Sequence, residues 1–275
     1  GEYTLGRFDP VNGTNWNRGY FFDKYAVEHF AKTVTREESI EGIKQRFRAH
    51  LCNAIDKKLV EPWGLGLAQQ LNLKLQQMAV NADFVLDLHN GPVSTRHVYI
   101  PEYAKDSAKL FNIPHCIFIP NVFAGALDEA TFCPWWTLQE SIKTNLAREI
   151  SFNVEAFTLE MGSQEVIDFN EGNIDATSIL SYLNAKGVLH ECDIKPTEMK
   201  RLGVYLKDYK TLFTNWGGMV EYMAKPGQTV KKGEPLAQIL NIDDLDTESG
   251  SRTLEAPCDL IPILHFPSAS VLSGT

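Results

Sequence analysis

The sequence predicts an α/β protein: a carboxypeptidase-like arrangement of a mixed sheet with helices on both faces, followed by a small β-sandwich or barrel. Three observations lead there. Up to Leu189, apolar residues alternate between helical spacing and short strand-like runs. From about Cys192 the helical spacing fades, and short β-like runs separated by Gly and Pro take over. Within that later stretch, the pattern of residues 225–233 recurs at 266–274.

Taken in order, Ile40, Ile43, Phe47, Leu51 and Ile55 keep steps of three and four, so they line one face of a helix. Leu67, Leu71, Leu75 and Met78 do the same, just before the apolar run Phe84-Val85-Leu86 that opens a strand. Residues Ile113 to Ile119 read as another strand, with Pro114 at its start. Leu138, Ile142, Leu146 and Ile150 mark a third helix. Ala156 to Glu160 form a strand that ends in Met161-Gly162, and Ile179, Leu180, Leu183 and Leu189 suggest a closing helix. Such alternation favours a sheet that is at least partly parallel, with functional residues at the carboxyl ends of its strands.

The later region is expected to form a separate unit, 195–275, behind an α/β unit of residues 1–194. Lys225-Pro226-Gly227-Gln228-Thr229-Val230-Lys231-Lys232-Gly233 aligns with Phe266-Pro267-Ser268-Ala269-Ser270-Val271-Leu272-Ser273-Gly274. Each copy follows a short apolar stretch, Met219-Val220 or Leu260-Ile261. The layout resembles biotinyl and lipoyl carrier domains, which present a modified lysine at the hairpin between their halves. That hairpin falls near Ile242 to Ser251, and no lysine follows Lys232. The region is therefore read as structural, or as a wall and gate for a site in the first unit.

Composition bounds the partners. With 44% hydrophobic and 22% charged residues, the chain can bury a real core. A net charge of −9 argues against a nucleic-acid backbone or an anionic membrane as the main partner. It leaves room for an anionic small molecule met by local arginines. No apolar run approaches the length of a bilayer span, and Gly1-Glu2-Tyr3-Thr4 does not read as a signal peptide. Cys52, Cys116, Cys133, Cys192 and Cys258 are odd in number and widely spaced, which reads as free thiols in a reducing, cytoplasmic setting. Phosphate-loop, dinucleotide and serine-elbow motifs are absent.

Three segments carry chemistry. Asp87-Leu88-His89-Asn90-Gly91 ends a strand on a histidine with a carboxylate nearby, an arrangement suited to holding a metal. Residues Gly6 to Tyr20 form a loop, since Asp9-Pro10 and Asn12-Gly13 are turn formers. It holds Arg7, Asn17 and Arg18, and an arginine fork beside an amide matches a carboxylate. Glu160-Met161-Gly162 ends another strand on a carboxylate able to move a proton. Phe132-Cys133-Pro134-Trp135-Trp136 reads as an aromatic loop serving packing, with a pocket wall as the other use. His97, His115, His190 and His265 are read as structural.

Together the three segments resemble the succinylglutamate desuccinylase and aspartoacylase family of zinc deacylases. The resemblance rests on Arg7 followed by Asn17-Arg18, on Asp87 to Gly91, and on Glu160 to Gly162, in that order. It implies one Zn(2+) per chain, with His89 as a ligand and Asp87 supporting it from behind. It implies that Glu160 is the general base and acid acting through a metal-activated water, and that Arg7 stabilises the oxyanion. Asn17 and Arg18 would hold the carboxylate of an N-acyl amino acid, the small-molecule partner. A homo-oligomer stays open. The family takes its first two zinc ligands from a Gly-x-His-Gly-x-Glu segment ahead of the arginine loop, and none is present here; His29 follows Arg18 and lacks the glycines. The expectation is a sequence lacking its natural N-terminal part, with a degenerate, non-catalytic binding relative as the alternative. A carboxypeptidase-like peptidase is the other enzyme reading.

Overall fold

The computed structural model describes residues 7–190, 192–244, 246–247 and 250–275. The opening Gly1 to Thr4, Gly6 of the arginine loop, and part of the 242–251 hairpin lie outside the described residues. Helices α1 (Lys24–Ala31), α2 (Ile40–Leu59) and α3 (Leu67–Val80) lead into strands β1 (Phe84–Gly91), β2 (His97–Pro101) and β3 (His115–Ile119). Then come α4 (Leu127–Leu146), β4 (Glu155–Ser163), α5 (Phe169–Ala185) and β5 (Leu202–Tyr205). The five strands form one sheet in the order β1-β4-β2-β3-β5. Glu155 N donates to Asp83 O at 2.9 Å and Gln164 N to Gly91 O at 2.8 Å, so β1 and β4 run parallel. β2 lies antiparallel to β4, and β3 is parallel to β5. The sheet is mixed, as the sequence predicts.

Contacts divide the chain into two compact units. The first holds the described residues up to Asp87, then 101–103 and 119–157; the second holds 88–100, 104–118 and 158–275.

In the first unit, the predicted stripe of α2 turns inward from Ile43 onward, while Ile40 at the helix start is exposed. Ile43 and Phe47 are fully buried among Val27, Phe30, Trp135, Leu138 and Ile142. The Phe47 ring lies 4.9 Å from Trp135, edge to face, and 5.0 Å from Phe30. Ser39 starts the helix by accepting from Gly42 N at 3.1 Å. Lys44 and Arg48, one turn apart on α2, both pair with Asp83 just ahead of β1, Arg48 at 2.7 Å.

Helix α4 corrects two expectations. It begins at Leu127, so Phe132 to Trp136 lie within a helix rather than a loop. Pro134 lacks the N–H an interior helical residue donates, which makes it read as a breaker. Burial of Phe132, Cys133 and Trp135 outweighs that local cost. Glu129 holds the helix start by accepting from Ala124 N and Ala126 N at 2.7 and 3.1 Å. The helix also stops before Ile150: Ala147 takes a left-handed conformation with φ 50°, and Ile150 is buried in the following loop. Trp136 and Cys133 help line a groove of 530 Å³ with Phe22 and Phe123.

Helix α3 is present, but its apolar stripe faces the other way. Leu67, Leu71, Leu75 and Met78 are 71, 44, 38 and 73% exposed. The buried face carries Ala68, Asn72, Leu73, Gln76, Ala79 and Val80.

In the second unit, β6 (Gly218–Tyr222), β7 (Pro235–Leu240), β8 (Ser251–Glu255) and β9 (Ser270–Val271) form an antiparallel sheet ordered β8-β7-β6-β9. Leu202–Tyr205, although it follows residue 194, pairs with β3 in the first sheet. The sequence repeat has a structural counterpart. Val230 and Val271 are both buried, and Gly233 and Gly274 share φ of 83° and 86°, a conformation that suits glycine. No helix among the described residues is long and apolar enough to cross a membrane.

Candidate active site

The arginine loop lies in the first unit. Asp9 accepts from Val11 N at 2.8 Å through its side chain and from Gly13 N at 2.8 Å through its carbonyl, closing the expected turn. Phe8 then bridges Asn15, and Trp16 N donates to Arg7 O at 3.0 Å. The chain thus returns alongside itself, bringing Arg7 next to the segment that leads into Asn17 and Arg18. Both arginines are exposed and Asn17 is half-buried. The Asn17 Oδ1 accepts from Leu127 N, the first amide of α4, at 3.3 Å. Tyr20 closes the loop. It is buried, its N donates to Gly125 O at 3.3 Å, and its phenol is pushed up to about 12 by burial and by the charge of Asp87. Asp87 therefore lies close to the end of this loop.

His89 and Glu160 lie in the second unit, half-buried near the carboxyl ends of the neighbouring parallel strands β1 and β4. Gly162, with φ 96°, follows Glu160, and its carbonyl accepts from Ser94 Oγ at 2.9 Å. The β1–β2 connection is strapped from its other side. His265 N donates to Val93 O and Thr95 N to Ile263 O, each at 2.9 Å.

Three residues around Glu160 are not among the predicted site residues, and one of them, His97, is read from sequence as structural. His97 lies directly across from Glu160 on β2 and is 1% exposed. Its Nδ1 lies 2.9 Å from the Thr95 carbonyl, which can only accept, so Nδ1 carries the proton. That leaves Nε2 as a buried acceptor without a hydrogen-bond partner. Burial holds the imidazole below its usual pKa. Tyr99 packs against Tyr209 with ring centres 6.5 Å apart. The Tyr209 phenol is raised by burial and by the charge of Glu160, and lowered by its hydrogen bond with Tyr99. The alternation of His97 and Tyr99 along a short apolar run was the available signal for β2. Tyr209 had none, because it reaches this face only through the path of the chain after β5.

A catalytic zinc takes three protein ligands and a water. Among the described residues, no group of three His, Cys, Asp or Glu is placed to hold a metal ion. The donor set in hand therefore does not complete such a site; His89 alone falls short of it. The five cysteines are free, and burial raises the thiols of Cys116 and Cys133, which disfavours their thiolate forms.

A family model described as the succinylglutamate desuccinylase/aspartoacylase catalytic domain matches residues 34–185, more than half the chain. The chain belongs to this family. The matched span contains Asp87, His89 and Glu160, whereas Arg7, Asn17 and Arg18 precede it. Two crystal structures of family proteins, from Shewanella frigidimarina NCIMB 400 and Shewanella amazonensis SB2B, are each 44% identical over 100% of this chain, with a TM-score of 0.94. This chain covers 73% and 74% of theirs. A third structure, of a succinylglutamate desuccinylase/aspartoacylase from Rhodobacter sphaeroides, shares the fold at a TM-score of 0.61 and 15% identity, over 98% of this chain and 67% of that one. No curated protein matches. The family is named for two deacylases, and that coarse activity goes with membership.

Proposed function

We propose that this chain hydrolyses the amide bond of an N-acyl amino acid. The observation that carries the reading is the placement of His89 and Glu160 near the carboxyl ends of neighbouring parallel strands, where α/β sheets gather their chemistry. Glu160 takes a proton from the attacking water and passes it to the departing amine nitrogen. Arg7 donates to the carbonyl oxygen as negative charge develops on it. Arg18 offers its guanidinium fork to the substrate carboxylate, and Asn17 adds its amide. Asp87 is a positioning residue for His89. One zinc per chain is the cofactor we propose, with His89 as one ligand. The described residues do not complete that site, so we place the other two ligands outside them. The free thiols suit a reducing cytoplasm.

The test is turnover of N-acyl amino acids and dipeptides by wild type and Glu160→Gln. We expect hydrolysis of the acyl amino acids, falling by about a hundredfold or more in the variant. Retained turnover in Glu160→Gln would overturn its role, and preference for dipeptides would move the reading to a peptidase. The incomplete ligand set favours a second reading, a non-catalytic binding relative. In the full-length protein, zinc near one per chain, lost in His89→Ala, removes that reading; no zinc and no turnover there at metal excess supports it.

A further inference from the structure

We propose that Asn72 and Gln76 of α3 are positioning residues that fix the Asn17–Arg18 loop for carboxylate binding; this rests on the role given to that pair above. The two amides lie four residues apart, hence on one face of the helix. They are 2% and 3% exposed. Asn72 Nδ2 donates to Arg18 O at 2.7 Å. Gln76 holds both backbone polar groups of Phe21: its Oε1 accepts from Phe21 N at 2.9 Å, and its Nε2 donates to Phe21 O at 2.5 Å. From the other side, Tyr20 N donates to Gly125 O, and Leu127 N to Asn17 Oδ1. Residues 17–21 are therefore gripped between α3 and the start of α4, all within the first unit.

This grip also accounts for the inverted helix. A non-regular backbone segment laid against a helix needs donors and acceptors where its own peptide groups find none. Leucines on that face would bury those groups unpaired. Gly125 lies at ordinary van der Waals distance from the loop. A Cβ built on Gly125, whose φ is 107°, would lie 3.5 Å from Arg18 Cδ and 3.6 Å from Gly19 N. The clamp thus sets the backbone at Arg18, whose side chain is exposed and donates through Nη1 to Asn17 O at 2.5 Å.

Two measurements on the purified protein test this. Hydrogen–deuterium exchange reads the loop, and calorimetry with N-succinylglutamate reads the carboxylate site. Variants are Asn72→Leu and Gln76→Met, with Ile142→Ala, a buried residue of α4 in the core around Phe47, as the comparison for general loss of packing. In both amide variants, exchange over residues 17–21 should rise about tenfold or more. Affinity should fall about tenfold, because a small displacement of the fork loses its fit. Ile142→Ala should leave the loop's exchange unchanged. If Gln76→Met does not fold, Gln76→Glu keeps an acceptor for Phe21 N while losing the donor to Phe21 O, and replaces it. Unchanged exchange in the amide variants overturns the proposal, as does equal loosening in Ile142→Ala. A loosened loop in a protein that binds no N-succinylglutamate upholds the clamp and removes the substrate role of Asn17 and Arg18.

Discussion

Helices α2 and α3 carry stripes of the same period and use them in opposite ways. On α2 the stripe residues Ile43, Phe47 and Ile55 are no more than 2% exposed. On α3 the stripe is turned outward, and two amides take its place inside. Periodicity identifies a face, but the inward face is chosen by what lies opposite. α2 meets aromatic rings from α1 and α4, whereas α3 meets a loop whose peptide groups need partners.

The contrast can be broken most sharply at Phe47. Replacing it by Ala should cost about 3–5 kcal/mol, since the ring packs against Phe30 and Trp135 with no exposed surface. Denaturant unfolding reads this directly, and a loss near that of a surface change would mean that α2 is not the packed helix described.

A smaller effect should come from the charges that tie α2 to the start of β1. Burial alone would raise the Asp83 carboxyl, but the hydrogen bonds and charges of Lys44 and Arg48 together hold it below its usual pKa. A depressed carboxylate contributes stability above its unfolded pKa and loses it as pH falls through the folded value. Asp83 is partly exposed, so the contribution is about 0.2–1 kcal/mol. Asp83→Asn should lower stability at neutral pH and flatten the acid limb of a stability–pH curve. The Asn72 and Gln76 amides do not titrate, so protection of residues 17–21 should hold over that range until α2 itself yields. An unchanged acid limb in Asp83→Asn would remove the ion cluster from the account.

The smallest change should be Leu71→Lys, on the outward stripe of α3, at about 0.5 kcal/mol or less. A loss several times larger, by the same unfolding measurement, would show that this stripe is covered in solution.

The strands that carry His89 and Glu160 were legible because each opens with a short apolar run. Phe84-Val85-Leu86 announces β1, Ala156 to Leu159 announce β4, and the polar residues that follow such runs draw attention to themselves. Asn72 and Gln76 were not legible. An amide in a helix reads as surface, and nothing local reveals the loop from more than fifty residues earlier that uses it. Pro134 misled in the opposite direction: local chemistry argued for a loop, and burial of the aromatic residues around it prevailed. His97 and Tyr209 fall between these cases, since their importance lies in nearness to Glu160, which register and chain path decide.

The straps on the β1–β2 connection bear on how this protein can be taken apart. Gly227, in the first copy of the repeat, has φ 84° and donates to Pro262 O at 2.7 Å; a Cβ there would lie 2.9 Å from Thr95 Oγ1. The trailing sheet therefore meets the segment that follows His89 along a seam with no room for a side chain. It cannot be exchanged with that of a distant relative as an interchangeable cassette. A graft would have to carry the glycine, the 262–265 segment and the loop it grips as a single piece, or redraw the ground on which His89 stands.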